Sequence, residues 1–255
     1  MTQCALETSE DAVLGGRLVL RQPRRGHRVG HDAILLAAAT PAHASERAID
    51  LGAGVGAAGL ALALRVEGLS VTLVEIDPAL AQLGGHNAER NGLADRVRTV
   101  CLDVTASVSA FVAAGLENES ADRVLMNPPF NVSQSASPQP DRRLAHTAAQ
   151  GTLREWVRVA SRLLRAGGAL TLIWRADGLD DVLEALSSSF GAIAVLPIHS
   201  KPEAPAIRVL ARATKGSRAP LSLLPDFVLA DADGKPSAAA EHVLRGGGLL
   251  PLGEI

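Results

Sequence analysis

The sequence of 255 residues contains no tyrosine, four phenylalanines and two tryptophans. Such a shortage of aromatic side chains disfavours an aromatic-rich β-sandwich and favours helices packed on a parallel sheet of aliphatic strands. Its two cysteines, Cys4 and Cys101, lie far apart and form no CxxC pair. The seven histidines are scattered without ligand spacing on a helix. We therefore expect no disulfide framework and no metal site.

Long apolar runs are also absent: the stretch 57–64 is soon interrupted by Arg65 and Glu67, short of the length that spans a membrane. Near the N-terminus, Glu7 and Glu10 stand where a signal peptide would have a basic segment leading into an apolar one. These features predict a cytoplasmic enzyme without membrane contact. A net charge of −2 gives no strong overall attraction to nucleic acid, although a local basic face remains compatible with it.

What the sequence does contain is an alternation of short β-rich runs with helical stretches, typical of a parallel sheet with crossover helices. The predicted strands are 47–51, 70–75, 97–102, 121–126 and 169–174. The predicted helices are 56–65, 78–91, 152–164 and 180–190. We predict a single domain over 1–255, with a lead-in over 1–45, a catalytic core over 46–215 and a C-terminal extension over 216–255.

The rhythm changes after Phe190, where two runs, 192–198 and 207–213, are joined by a proline-containing loop and predict an antiparallel hairpin at the sheet edge. Smaller features are predicted from composition alone. They are a strand or hairpin over 13–20, a mobile loop over 133–141, a turn over 165–168, a loop over 217–225 and a short helix near 238–244.

A glycine-rich turn, Asp50-Leu-Gly52-Ala-Gly54-Val-Gly56, follows the first predicted core strand and opens a helix. Glycines there let the backbone turn tightly and approach a ligand closely. The plain alternative is a tight connection between a strand and a helix. Asp50 at the head of the turn would repel a phosphate, but it suits a cationic amino group or sulfonium.

Two acidic residues follow the next two strands: Glu75 ends the second and Asp103 comes after the third. At these carboxyl ends, Glu75 can bind the two hydroxyls of a ribose, and Asp103 can accept a hydrogen bond from an adenine amino group. Each residue alone is more often a solvated strand end or a turn residue. Together with the glycine turn, and in this order, they predict a nucleoside-containing cofactor.

The fourth strand is followed by Asn127-Pro128-Pro129-Phe130. The side-chain oxygen of Asn127 and the carbonyl oxygen of Pro128 can accept both N–H bonds of a conjugated amine and aim its lone pair at an electrophile. Phe130 offers a face on which a planar substrate can stack. The alternative is a rigid turn, since Asn-Pro is a common turn dipeptide.

These motifs resemble those of class I S-adenosylmethionine-dependent methyltransferases, and the tetrapeptide is similar to the (D/N)PP(Y/F) motif of enzymes that methylate amino groups. The resemblance implies a Rossmann-like α/β fold: a seven-stranded, mostly parallel sheet with an antiparallel terminal hairpin and helices on both faces. It implies S-adenosylmethionine as the cofactor and S-adenosylhomocysteine as its product. Asn127, Pro128 and Phe130 would be catalytic, and Asn127 would also contact the cofactor.

The segment 20–36, with Val29-Gly30-His31-Asp32 before a leucine-rich helix, resembles the lead-in of bacterial tRNA(Val) adenine-N6 methyltransferases. In that case the substrate is adenine N6 in a tRNA anticodon loop, and Asp32 lies beside the cofactor. A helix cap at Ala33 is an equally weighted role for Asp32. The basic residues assigned to contact RNA are Arg24, Arg25, Arg28, Arg142, Arg143, His146 and Lys201.

Several alternatives stay open at this point. The basic residues near Arg24 are also compatible with an ordinary charged turn, and His146 with a structural role. The NPP motif is shared with glutamine-N5 methyltransferases of release factors, which carry a helical domain before the cofactor motif. A binding module without activity and an O-methyltransferase are further possibilities, although an O-methyltransferase more naturally has a general base or metal ligands near its substrate.

Overall fold

The computed structural model describes residues 7–25, 28–129 and 142–253, and within the last range it describes side chains from residue 150 onward. Phe130, the predicted loop 133–141 and the side chains of Arg142, Arg143 and His146 lie outside the described residues. None of the helices in the described ranges is both long and apolar enough to cross a lipid bilayer.

A β-hairpin precedes the main sheet. Strands β1 (Thr8–Val13) and β2 (Leu18–Pro23) pair antiparallel and are joined by a 3-10 turn over Leu14–Gly16. Leu18 and Leu20 of β2 point inward and are fully buried, whereas β1 alternates between exposed and half-buried residues. The hairpin predicted over 13–20 is therefore confirmed, with its first strand beginning earlier than the sequence suggested.

The main sheet has seven long strands in the order β5-β4-β3-β6-β7-β9-β8. They are β3 (Arg47–Leu51), β4 (Ser70–Glu75), β5 (Val97–Cys101), β6 (Ala121–Met126), β7 (Leu164–Arg175), β8 (Phe190–His199) and β9 (Ala206–Lys215). The strands from β3 to β7 are parallel, while β9 runs antiparallel to both of its neighbours. This topology confirms the predicted seven-stranded sheet with its antiparallel hairpin.

Seven helices surround the sheet within the described residues. They are α1 (His31–Ala39), α2 (Ala57–Arg65), α3 (Pro78–Arg90), α4 (Val108–Ala113), α5 (Arg142–Leu163), α6 (Leu179–Leu186) and α7 (Ala238–Leu244). Side chains cap three of them, because Asp77, Ser107 and Ser237 each accept a hydrogen bond from a backbone N–H of the first turn. Pro78 follows Asp77 at the first position of α3, where its missing N–H costs no helical hydrogen bond.

The central strands are apolar on both faces, as expected for a sheet covered on each side by helices. One core lies between the sheet and the layer of α1, α2, α3 and α7, together with strand β2. The other core lies between the opposite face and α4, α5 and α6. Alternation along a strand divides the side chains between them: Leu125 belongs to the first core and Met126 to the second.

Two side-chain amides of α3 join it to the hairpin. They form hydrogen bonds to the backbone of β2, as the backbone of a neighbouring strand would. Asn91 Oδ1 accepts from the Val19 N–H at 2.9 Å, and its Nδ2 donates to the Val19 carbonyl at 2.8 Å. One helical turn earlier, Asn87 makes the same pair of bonds with the backbone of Arg21, at 2.8 and 3.0 Å. The spacing i, i+4 on the helix thus matches i, i+2 on the strand.

Some predicted boundaries are wrong. Helix α5 begins at Arg142, ten positions before the predicted start at 152. Strand β7 begins at Leu164 and not at 169, and the predicted turn 165–168 is a bulge where the register with β6 shifts. The predicted loop 217–225 includes a two-residue strand, β10 (Ser222–Leu223), which pairs with β8 as does β11 (Phe227–Val228). The helix predicted at 238–244 is confirmed by α7.

Candidate active site

The motif residues line one edge of the main sheet, where the parallel strands end. Leu51 is paired with Val74 on one side and with Met126 on the other, so Gly52, Glu75 and Asn127 follow at neighbouring strand ends. Asp103 lies two residues beyond the end of β5, next to β4. The order along this edge is therefore Asp103, Glu75, Gly52 and Asn127, which is the arrangement expected for a ligand at the carboxyl ends of an open α/β sheet.

The glycine turn between β3 and α2 is closely packed at Gly52 and open at Gly54. Gly52 has a φ of +70°, and a Cβ atom there would lie 2.4 Å from Cη2 of the buried Trp156 in α5. Gly54 has a φ of +57°, and a Cβ atom there would meet no atom within 4 Å. Gly52 is required by close packing, whereas Gly54 keeps a free face on which a ligand can approach the backbone.

Glu75 is buried and braces the glycine turn. One carboxylate oxygen accepts from the Gly54 N–H at 2.7 Å, and the other accepts from the Asp77 N–H at 2.9 Å. A carboxylate has about four lone-pair directions, so each oxygen retains the capacity for one more donor. This geometry fits the predicted binding of two ribose hydroxyls, since the same side chain fixes the loop and still presents acceptors.

Asp50 lies beneath the turn and is 2% exposed. Its Oδ2 accepts from the Gly59 N–H at 2.8 Å, in the first turn of α2, whose N-cap residue Gly56 has no side chain to cap with. Burial raises the pKa of Asp50 to about 7, and the nearby Glu75 carboxylate adds to the increase. Asp50 thus acts as a remote cap for α2, and its predicted contact with the cofactor stays a prediction.

Asp103 forms a small turn of its own after β5. Its Oδ1 accepts from both the N–H and the hydroxyl of Thr105, each at 2.8 Å. These bonds fix the side chain at the sheet edge. This fixed orientation is compatible with a hydrogen bond from an adenine amino group to Asp103, which remains a prediction.

Asn127, at this edge of the sheet, has the polar atom that bears most directly on substrate binding. Its Oδ1 is buried and has no hydrogen-bond partner among the described residues. A buried amide oxygen without a donor is costly, because it loses its hydration and gains nothing in exchange. Pro128 next to it is buried and Pro129 is exposed. The predicted amine-binding site therefore has a buried acceptor without a partner among the described residues.

Asp32 does not cap a helix, so that alternative is wrong. Helix α1 begins at His31, its N-cap is Gly30, and it has no side-chain cap hydrogen bond. Asp32 Oδ2 instead accepts from Arg208 Nε at 2.9 Å, which joins the start of α1 to strand β9. The carboxylate thereby lies at the same sheet edge, and its contact with the cofactor stays a prediction.

The structure gives the predicted RNA-contacting residues different surroundings. Arg28 follows the hairpin in sequence and binds to its first strand, where it pairs with Asp11 at 2.6 Å and donates to Ser9 Oγ at 3.0 Å. Arg24 is exposed and donates to the Thr8 carbonyl. Arg25 and Lys201 are also exposed, with Lys201 in the loop between β8 and β9. The hydrogen bond that Asp11 accepts from Gln22, and then the positive charge of Arg28, lower the pKa of Asp11.

Sequence reasoning missed two supporting residues, Trp156 and Asn87. Asn87 is fully buried, and besides its bonds to β2 its Nδ2 donates to the Val55 carbonyl in the glycine turn at 3.0 Å. The spacing Asn87–Asn91 was a visible signal of two amides on one helix face. Nothing in the sequence marked Trp156. Within the described ranges, no group of three or more His, Cys, Asp or Glu side chains could hold a metal ion.

Comparison with known proteins identifies the family of the chain. Residues 27–201 match the family described as methyltransferase small domain. The tRNA1(Val) (adenine(37)-N6)-methyltransferase of Bacteroides fragilis is 31% identical over 186 residues, covering 72% of this chain and 75% of that enzyme. The release factor glutamine methyltransferase of Chlorobaculum tepidum is 30% identical over 161 residues, covering 60% of this chain and 53% of that enzyme.

Among solved structures, the protein Atu636 of Agrobacterium tumefaciens, described as "a predicted O-methyltransferase", is 30% identical with a TM-score of 0.73. The alignment covers 86% of this chain and 98% of that protein. These similarities confirm the predicted class I fold and the predicted resemblance to tRNA(Val) adenine-N6 methyltransferases. The chain belongs to the methyltransferase small domain family, and the predicted enzyme class, a methyltransferase that uses S-adenosylmethionine, is confirmed.

Proposed function

We propose that this chain methylates the N6 amino group of an adenine in a tRNA anticodon loop. The observation that carries the proposal is the buried, unsatisfied Oδ1 of Asn127 at the end of β6, next to the glycine turn. An N–H donor from a substrate satisfies that oxygen. A tRNA substrate also fits the cytoplasmic location expected from the sequence.

The cofactor half of the site suits S-adenosylmethionine. The free face of Gly54 accommodates a ligand close to the backbone, and Glu75 retains lone pairs for ribose hydroxyls. Asp32 at the same edge pairs with Arg208 through Oδ2, so its proposed contact with the cationic amino group uses Oδ1. When bound, S-adenosylmethionine supplies an electrophilic methyl group on a sulfonium and becomes S-adenosylhomocysteine.

Asn127 and Pro128 act by orienting the amine that receives the methyl group. An adenine amine is a poor nucleophile because its lone pair is delocalised into the ring. Asn127 Oδ1 and the Pro128 carbonyl accept its two N–H bonds, which turns the lone pair out of conjugation and towards the methyl group. The acceptors also stabilise the positive charge that develops on nitrogen before it releases a proton. Phe130, predicted to stack on the base, lies outside the described residues.

The choice of adenine over glutamine is supported by the extent of the similarities. The chain spans 75% of the Bacteroides tRNA enzyme but only 53% of the Chlorobaculum release factor enzyme, at nearly equal identity. Asn127 and Pro128 would serve either amine equally. Glutamine-N5 methylation is therefore the alternative that the experiment must separate.

The description of Atu636 as a predicted O-methyltransferase raises a hydroxyl as a third acceptor. A hydroxyl must lose its proton early to become a good nucleophile, and an amide oxygen cannot take up that proton. The unsatisfied amide oxygen of Asn127 favours an N–H donor.

The test incubates the enzyme and labelled S-adenosylmethionine with unmodified tRNA, with release factor or with a catechol, and maps the label. We expect label on adenine N6 of tRNA. Asn127→Ala should lower the transfer rate by about 10²–10³-fold, the usual effect of removing one oriented group of this kind. The Kd for the cofactor should rise by much less, since Asn127 is only one of several predicted cofactor contacts. Label found only in protein, or an Asn127→Ala rate within a few-fold of wild type, would contradict the proposal.

A further inference from the structure

Two arginines face each other at the reacting edge of the sheet. Arg175 is the last residue of β7, and Arg208 lies near the start of the antiparallel strand β9. The register pairs them directly, Arg175 opposite Arg208, one step beyond the pair Trp174 and Val209. Directly opposite residues have Cβ atoms about 4.5–5.5 Å apart, so the two side chains leave the sheet side by side.

Both arginines lie on the same face of the sheet as Asn127. Ile173 and Leu210 belong to the core beneath α1, so Arg175 and Arg208, two residues away along their strands, are on that face too. Leu125 of β6 belongs to the same core, and alternation gives Asn127 the same side. Because β6 and β7 are neighbours, with Met126 opposite Leu172, the arginine pair begins one strand away from the amine acceptor.

Like charges placed directly opposite each other destabilise a sheet unless something compensates for them. Arg208 has such compensation, because its Nε donates to Asp32 Oδ2 at 2.9 Å. Arg175 has less: its Nε lies 3.3 Å from Oδ1 of Asp177, whose side chain is 75% exposed. The Nε of Arg175 is nevertheless buried and makes no hydrogen bond within the described structure. Because the Asp177 carboxylate lies mostly in solvent, this ion pair contributes little.

We propose that Arg175 and Arg208 bind a phosphodiester of the substrate next to the target base. This proposal rests on the proposed function, since an anticodon loop carries a phosphate on each side of the adenine and a release factor glutamine carries none. A guanidinium has five donors in a planar fork that matches two phosphate oxygens. A phosphate held by both strands compensates the opposed charges and fixes the backbone from which the base leaves its stack.

The test compares Arg175→Gln with Arg154→Gln as the matched control. Arg154 is an arginine of α5 on the other face of the sheet, where it pairs with Glu184 at 2.8 Å and is half exposed. For each enzyme we measure the Kd for tRNA over a range of salt concentrations, the Kd for S-adenosylmethionine and the melting temperature. A third variant, Arg175→Lys, keeps the charge but loses the planar fork.

We expect Arg175→Gln to weaken tRNA binding about tenfold, the size of one charge-assisted hydrogen bond. The slope of log K against log salt should fall by about 0.7–0.9, as for one lost phosphate contact. Arg175→Lys should retain most of the salt slope with an intermediate affinity. Cofactor affinity should stay at the wild-type value in all variants, and Arg154→Gln should match wild type throughout.

A structural ion pair alone predicts a different pattern. If Arg175→Gln lowers the melting temperature but binds tRNA with the wild-type affinity and salt slope, the phosphate site is wrong. If Arg154→Gln loses as much tRNA affinity as Arg175→Gln, the effect is one of general charge and the site is also wrong. Failure of the proposed function has another signature, namely that the wild-type enzyme itself methylates no tRNA.

Discussion

Nδ2 of Asn87 lies 3.0 Å from the carbonyl oxygen of Val55, so a side chain of α3 holds the backbone of the glycine turn. The same amide is bonded to Arg21 in strand β2. The position of the hairpin is thereby transmitted to the turn that faces the cofactor. Asn91, one helical turn away, bonds to Val19 in the same way, but its third partner is the Asn87 carbonyl within the helix.

Asn87→Ala and Asn91→Ala therefore form a matched pair of variants. Both remove two bonds to the hairpin, and we expect both to destabilise the protein by about 1–3 kcal/mol through unsatisfied backbone groups. Only Asn87→Ala frees the Val55 carbonyl, so it alone should weaken S-adenosylmethionine binding several-fold. Isothermal titration and thermal unfolding separate these effects. Equal cofactor affinities in the two variants would refute the coupling.

Alanine variants of Gly52 and Gly54 form a second matched pair. We expect the first to lose mainly stability and the second mainly cofactor affinity. Gly52→Ala places a Cβ atom 2.4 Å from the Trp156 ring, and we expect a loss of about 1–3 kcal/mol in the free energy of unfolding from overpacking. Gly54→Ala meets no protein atom within 4 Å, so its stability loss should be limited to the strain of positive φ, about 1 kcal/mol.

Cofactor affinity should show the reverse order for these glycines, because the Gly54 Cβ occupies the open face of the turn. Denaturant unfolding and cofactor titration of both variants check this expectation. In the double variant Gly52→Ala/Trp156→Leu, the smaller side chain should recover part of the lost stability. A Gly54→Ala enzyme with wild-type cofactor affinity would show that the ligand does not approach this backbone.

The raised pKa of Asp50, about 7, makes a prediction for stability against pH. In the unfolded chain this carboxyl ionises near pH 4, so between pH 4 and 7 the folded state binds more protons than the unfolded state. The contribution of Asp50 to the free energy of unfolding therefore falls as pH rises through this window. About 1.4 kcal/mol per pH unit over roughly 3 units sets an upper limit on the order of 4 kcal/mol.

Asp50→Asn keeps an acceptor for the Gly59 N–H and removes the charge. We expect the cofactor-free variant to gain melting temperature relative to wild type as pH increases from 5 to 8, with a difference that levels off above pH 7. Parallel curves for the two proteins over this range would mean that Asp50 is ionised without penalty.

The hairpin arginines make a prediction about RNA. Arg25 is exposed, whereas Arg28 is paired with Asp11 and Ser9. Arg25→Ala should weaken tRNA binding a few-fold and reduce the salt slope by about 0.7–0.9 with no change in melting temperature. Arg28→Ala should mainly lower the melting temperature, since it releases the hairpin. Identical effects of the two replacements on tRNA affinity and stability would argue against separate roles.

The sequence was sufficient to predict the strands of the sheet and the order of the motifs along its edge. Strands β3, β4 and β6 match their predicted bounds because each is a short run in which half or more of the residues are apolar. Gly52 directly follows β3, and Asn127-Pro128 directly follows β6. Once the strands are parallel, the residues that follow them must share one edge. The placement of Glu75 beside Gly52 and Asn127 was therefore predictable from local pattern and topology.

Contacts between distant segments were not predictable in the same way. The bond from Gly59 to Asp50, the packing of Trp156 on Gly52 and the pairing of Asp32 with Arg208 depend on side-chain packing and on strand register. A helix cap at Ala33 was one of two equally weighted expectations for Asp32, and it failed because α1 starts at His31. The assignment of a single domain remains a prediction.

The strand order also has a consequence for how the chain is assembled. Strand β9 lies between β7 and β8, although β8 precedes it in the sequence. During synthesis β8 leaves the ribosome before the strand to which it must pair, so the edge of β7 stays open until residue 215 has emerged. Unpaired strand edges invite association with other chains. Nascent chains that stop before β9 should therefore aggregate or recruit chaperones, whereas chains that include it can close the sheet.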